Sequence, residues 1–136
     1  MSIRPAYLVD SDVLIWCLRN RPTPIAMLQA LAAEGPLACS VLTVSEILRM
    51  VRDQDREKTE RLLDSLILLP VGVAEAKLAA LLIRGCGRDR GPGFVDCHIA
   101  ATAILRRLPL VTYNRKDYLA TGVDLLDTSL WNPENH

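Results

Sequence analysis

The chain has 136 residues, half of them apolar, and its 16 Lys and Arg residues are matched by 16 Asp and Glu. That length supports a single core, and the neutral balance excludes a non-specific nucleic-acid binder that works through a large positive field. Cys17, Cys39, Cys86 and Cys97 form no C-x-x-C pair and lie in or beside apolar stretches, so reduced, buried thiols are expected.

Tyr7, Leu8 and Val9 read as a strand buried on both faces, and the strand runs into Asp10. Ser11 or Asp12 is a good N-cap for the apolar helix that follows as far as Arg19. A strand passing straight into a helix is half of a βαβ unit, and open sheets of such units bind ligands beyond the carboxyl ends of their strands. Asp10 therefore either faces the helix dipole or stands where chemistry occurs. Arg21-Pro22-Thr23-Pro24 stops this helix, and Ile25, Leu28, Leu31 and Ala32 line one stripe of a second helix, from Ile25 to Glu34, ended by Gly35-Pro36. Leu37 to Leu42 predicts a second strand. Thr43-Val44-Ser45-Glu46 has capping-box spacing, with Glu46 folding back onto the Thr43 amide. Glu46 also follows a strand, the same topological place as Asp10.

Ile47 to Arg52 continues that helix until Asp53-Gln54-Asp55 breaks it. Arg56 to Leu66 predicts a charged helix, with Leu62, Leu63 and Leu66 on one side and Glu57 placed to pair with Arg61. Leu68 to Val73 predicts a third strand, and Ala74 to Arg84 a helix closed by Gly85-Cys86-Gly87. The arginines of the loop Arg88-Asp89-Arg90-Gly91-Pro92-Gly93 either meet a phosphate backbone or are simply solvated. Phe94 to Arg107 predicts a helix with Asp96 in its first turn; His98 points to another face and is most simply a packed residue. Leu108 to Thr112 predicts a fourth strand, after which Tyr113-Asn114-Arg115-Lys116-Asp117-Tyr118 supplies another acid. Val123 to Leu126 predicts an edge strand. A domain over 1–128 and a polar, poorly ordered tail over 129–136 are expected.

Asp10, Glu46, Asp96 and Asp117 thus each lie just beyond a different strand. A parallel sheet gathers such ends, and ionised carboxylates do not crowd together without a compensating cation. Hard divalent ions with oxygen ligands, Mg²⁺ or Mn²⁺, are the natural partners. No run is long enough to span a bilayer, and Asp10 and Asp12 interrupt the N-terminal apolar segment. A cytoplasmic protein with no membrane association is expected.

Four segments resemble the PIN-domain ribonucleases, specifically the VapC toxins of toxin–antitoxin pairs: Leu-Val-Asp-Ser-Asp-Val-Leu-Ile at 8–15, Ser-Val-Leu-Thr-Val-Ser-Glu-Ile at 40–47, Val-Asp-Cys-His-Ile-Ala-Ala-Thr-Ala at 95–103 and Thr-Tyr-Asn-Arg-Lys-Asp-Tyr at 112–118. The resemblance implies an α/β fold, a three-layer α/β/α sandwich with a mainly parallel sheet of four to five strands. It implies metal-dependent RNA cleavage, with Asp10, Glu46, Asp96 and Asp117 as the acidic set. Ser11, Thr112 and Asn114 match polar positions around it. RNA, a small antitoxin protein and a second copy of the chain are the implied partners. Val13 to Leu18 and the Met27/Leu31 region are candidate self-association surfaces, and Arg88, Arg90, Arg115 and Lys116 candidate phosphate contacts. The segment from Arg88 to Gly93 lacks the family's usual Ile-Pro lead into the third acid. Two other readings exist. Asp10-Ser11-Asp12-Val13 fits the phosphatase motif of haloacid dehalogenases, with Asp10 as nucleophile and Asp12 as acid; a PIN-like module that binds without cleaving is the other.

Overall fold

A strand covered on both faces must be apolar throughout, and Leu8 and Val9 have no exposed surface. In the computed structural model, which describes residues 3–86 and 92–132, they belong to β1 (Tyr7–Val9), paired in parallel with β2 (Leu37–Ser40) and with β4 (Leu110–Val111). β3 (Ile67–Leu69) pairs in parallel with β2, giving the order β3-β2-β1-β4. Successive strand residues alternate between two cores. Val9, Cys39 and Val111 face one with Val13, Leu14, Met27 and Leu31. Leu8, Ala38 and Leu110 face the other with Ile99, Ala100 and Ala103. The sheet is the middle of three layers, as expected.

On one side lie α1 (Ser11–Leu18) and α2 (Pro22–Ala32), with α3 (Val41–Leu48) and α4 (Arg56–Asp64) following. On the other, α6 (Phe94–Arg106) packs against the sheet and α5 (Val73–Cys86) packs against α6. Ala100, Ala101 and Ala103 are completely buried, and their small side chains let α6 approach closely. A short α7 (Arg115–Tyr118) follows β4.

The chain adds β2 and β3 on one side of β1 and returns to place β4 on the other. The strand order therefore reverses between β1 and β4, and at such a switch point a crevice opens beyond the carboxyl ends.

Several boundaries differ from the sequence reading. The prolines expected to stop the first helix instead start α2, with Pro22 at its first position, where a missing N–H costs nothing. β2 ends at Ser40, whose hydroxyl accepts from the Leu42 amide at 3.1 Å and caps α3. Helix α3 thus starts before Thr43, which leaves Thr43 and Glu46 inside it with no capping box. Helix α3 stops at Leu48, and Asp53–Asp55 forms a 3₁₀ turn. β3 ends before Pro70, which has no amide to donate to a ladder. β4 is only two residues long, and the expected strand over Val123 to Leu126 is reduced to one parallel bridge from Leu125 to Leu110.

Of the candidate self-association surface, Val13, Leu14 and Met27 are 0% exposed and Leu31 is 2%, so these are core, while Ile15, Trp16 and Leu18 are only partly buried. Thr128, at the end of the expected domain, is buried; in the expected tail, a 3₁₀ turn at Ser129–Trp131 packs on the α2 side, and the Trp131 carbonyl accepts from Tyr113 Oη at 2.7 Å. Residues 133–136 lie outside the described part. All four cysteines are free, with Cys17, Cys39 and Cys97 buried and Cys86 partly so. Among the described residues no helix is long and apolar enough to cross a membrane.

Arg61 Nη1 lies 3.1 Å from Glu57 Oε1, the expected i,i+4 pair, but the side chains are 70% and 86% exposed. Arg61→Ala is therefore expected to change stability by under about 0.5 kcal/mol in urea unfolding.

Candidate active site

Asp10 is the first residue after β1, and Thr112 the first after β4. Asp10 is 3% exposed. Its Oδ1 accepts from the Ser11 amide at 2.9 Å, so Asp10, and not Ser11 or Asp12, caps α1. Its Oδ2 accepts from the Thr112 hydroxyl at 2.9 Å. One Asp10 oxygen thus caps the helix, as one reading held, and the other is bonded across to the end of β4. The Thr112 oxygen in turn accepts from the Asn114 amide at 3.0 Å. Asp12 takes the Val13 amide on Oδ1 at 2.8 Å and the Tyr113 amide on Oδ2 at 2.9 Å.

Glu46 lies in the second turn of α3, where the Ser11 side chain favours its charged form. Its Oε1 is buried with no partner among the described residues, and so is Thr43 Oγ1 one turn earlier. Asp96, in the first turn of α6, accepts from Tyr118 Oη at 3.1 Å. Asp117 sits on α7, where its amide donates to the Asn114 carbonyl at 3.1 Å.

The PIN domain family model matches residues 7–121, which include the whole sheet and all four acids. The chain belongs to the PIN-domain family. Ribonuclease VapC10 of Mycobacterium tuberculosis is 37% identical over 108 residues, covering 79% of this chain and 81% of that protein. A chain of a toxin–antitoxin complex from Klebsiella pneumoniae superposes with a TM-score of 0.70 at 27% identity, over 83% of this chain and 90% of that one. FitAcB from Neisseria gonorrhoeae reaches 0.75 at 23% identity, over 96% and 99%, a likeness of fold.

Burial and neighbouring acids disfavour the charged forms of Asp10, Glu46 and Asp96. The Asp10 carboxyl is pushed up to about 7 by burial first and by Asp12 second, with a further contribution from Asp96; the Thr112 and Ser11 hydrogen bonds oppose this. Glu46 is raised by burial and then by Asp96, and Arg49 opposes. Asp96 is raised by burial and by Asp117, against the Tyr118 hydrogen bond. Asp96 is the hub, coupled to Asp10, Glu46 and Asp117. Among the described residues, no three His, Cys, Asp or Glu side chains stand close enough to form a ready cage for a metal ion. The donor chemistry still fits a hard divalent cation: the groups are carboxylates, burial and neighbouring acids disfavour their charge, and Glu46 Oε1 has no partner among the described residues. A cation there would satisfy that oxygen and reverse the repulsion.

The candidate phosphate contacts fare differently. Arg115 Nη1 donates to the Leu126 carbonyl at 2.6 Å, which commits the guanidinium to holding the C-terminal segment. Lys116 is exposed on α7. Arg88 and Arg90 lie outside the described residues. His98 Nδ1 is 2.8 Å from the Phe94 carbonyl, which can only accept, so Nδ1 carries the proton. His98 is a packed helix residue, as its position suggested.

Tyr118 was not legible as part of the site. It is fully buried, and that burial, followed by the charges of Asp10 and Asp96, raises its hydroxyl pKa. Tyr118→Phe keeps the ring but removes the donor to Asp96. It is expected to move the Asp96 titration midpoint upward, read by carboxyl-carbon NMR.

Proposed function

We propose that this PIN domain is a metal-dependent endoribonuclease and the toxin of a toxin–antitoxin pair. The observation that carries the reading is that buried Asp10, at the end of β1, is bonded to Thr112 at the end of β4, while the charges of Asp12 and Asp96 disfavour its own. The similarity to ribonuclease VapC10 and to the Klebsiella pneumoniae toxin–antitoxin complex supports it.

Asp10, Glu46 and Asp96 would hold Mg²⁺ or Mn²⁺ directly, with Asp117 completing the pocket by ligation or through water. When bound, the cation supplies Lewis acidity: it offsets charge developing on the attacked phosphate and lowers the pKa of water. The protein's own groups do the orienting. Thr112 donates to Asp10 and Tyr118 to Asp96, so each of these two carboxylates is aimed by a hydroxyl. Asn114 fixes the Thr112 oxygen through its amide. No acid serves as a covalent nucleophile in this scheme. RNA phosphates would be met by Lys116 and by Arg88 and Arg90, with Arg115 contributing charge from its fixed position. Both Asp12 oxygens are occupied by backbone amides, which leaves the haloacid-dehalogenase role of Asp12 as acid without support.

For the antitoxin, the site offers a groove of about 570 Å³ that starts at Glu46 and is lined by Ile15, Leu18, Ile47, Met50 and Lys58. An antitoxin segment lying there would reach the acids and close the crevice to RNA. A cytoplasmic homodimer completes the proposal.

Purified protein incubated with total cellular RNA is expected to cleave it with Mn²⁺, to stop with EDTA and to resume when Mn²⁺ is restored. Cleavage indifferent to EDTA would overturn the metal assignment. Binding of RNA without cleavage would favour the non-catalytic module.

A further inference from the structure

We infer that Asp12 is a positioning residue: its carboxylate latches the segment after β4 onto the start of α1 and so holds the Thr112 hydroxyl against Asp10. The proposal deepens the metal-nuclease reading and rests on it only for the consequences in activity; the latch itself is a property of the protein alone.

Each Asp12 oxygen accepts one backbone N–H, Oδ1 from Val13 at 2.8 Å and Oδ2 from Tyr113 at 2.9 Å. The first bond is local to the opening turn of α1, whereas the second spans 101 positions of sequence. Tyr113 is the residue between Thr112 and Asn114, whose own contact closes behind the hydroxyl, Asn114 N to Thr112 Oγ1 at 3.0 Å. A threonine hydroxyl has a single proton to donate. Here it lies 2.9 Å from Asp10 Oδ2 and 3.4 Å from each Asp12 oxygen, so it serves Asp10. Asp12 is thus held by amides and acts on the site through Thr112, without contacting the reacting groups.

The identity of the residue follows from this double acceptance. An asparagine offers one acceptor oxygen, so it would keep the local Val13 N–H and turn its own NH₂ toward the distant Tyr113 N–H. A serine has one oxygen on a shorter arm. Both would spare the site a negative charge that burdens Asp10. A carboxylate placed beside other carboxylates is costly, and the two acceptors it supplies account for its presence.

The test compares Asp12→Asn, Asp12→Ser, Thr112→Val and the Asp12→Asn/Thr112→Val pair with the original chain. In metal-free protein, the Tyr113 amide of both Asp12 variants is expected to exchange with deuterium at least about tenfold faster, while the Leu8 amide in the core keeps its rate. Mn²⁺ affinity by calorimetry and kcat for RNA are each expected to fall about 10- to 100-fold, the scale set by losing a group that orients a ligand. The double variant is expected to be little worse than either single one, because both changes break one path. Unchanged Tyr113 exchange or Mn²⁺ affinity in the folded variants, or losses that multiply in the pair, would overturn the assignment. So would failure of both Asp12 variants to fold while Thr112→Val folds, which would make Asp12 a folding residue. If the original chain cleaves no RNA, the nuclease reading fails, and amide exchange and Mn²⁺ binding still decide the role of Asp12.

Discussion

Asp10→Asn is expected to lower RNA cleavage by at least about 100-fold, the scale of removing one group that stabilises transition-state charge in a water-poor site. The same substitution is expected to make the metal-free protein more stable at pH 8. The two effects have opposite signs for one reason. Asp10 is 3% exposed and its carboxyl is pushed up to about 7 by burial and by the charges of Asp12 and Asp96. Above that pH the folded protein must keep a buried charge among like charges, a cost the neutral amide avoids. Asn retains an oxygen to cap the Ser11 amide, so the start of α1 keeps its bond. An Asp10 that only capped the helix would leave cleavage intact in the variant. Steady-state cleavage of RNA and urea unfolding in EDTA, run on the same preparations, check both signs. Asp96→Asn, at the hub of the cluster, is expected to lose activity to the same extent.

The second large effect is a stability profile that runs against ordinary carboxylate behaviour. A group whose folded pKa is raised binds protons more tightly in the folded state, so its contribution to stability falls as pH rises from the unfolded to the folded value. For Asp10 the window runs from 3.8 to about 7. Glu46, Asp12 and Asp96 are shifted in the same direction. Metal-free protein is therefore expected to melt at a higher temperature at pH 5 than at pH 8. Mn²⁺ at 100 times its dissociation constant is expected to add about 2.7 kcal/mol at pH 8. It should add less at pH 5, where protons compete for the same oxygens. Thermal melts across pH 5 to 8, with EDTA or with Mn²⁺, read both trends. A metal-free protein that is most stable at pH 8 would contradict the electrostatic account.

Much of the architecture was legible because it depends on local pattern. Tyr7-Leu8-Val9 is apolar without alternation, as a strand between two layers must be, and Asp10 follows β1 directly; Asp96, expected just beyond a strand, instead follows α5 and opens α6, and Glu46 lies in the second turn of α3. What was not legible depends on contacts distant in sequence or on where an element ends. The spacing of Thr43 and Glu46 fits a capping box, but nothing in it says that β2 stops at Ser40 and that the serine takes the cap. An apolar stripe such as Met27 and Leu31 suits a partner as well as a core, and only packing against α1 and the sheet decides. Arg115 looks free until Leu126 folds back over it. Asp12 and Tyr118 enter the site through bonds to residues 101 and 22 positions away, and no motif encodes those partners.

The most direct test of the central claim is anomalous diffraction from crystals soaked in Mn²⁺. A manganese peak in contact with carboxylate oxygens of Asp10 and Asp96, with Glu46 or Asp117 beside it, is the result expected. Crystals that take up manganese elsewhere, or leave the crevice between β1 and β4 without a peak at saturating metal, would contradict it.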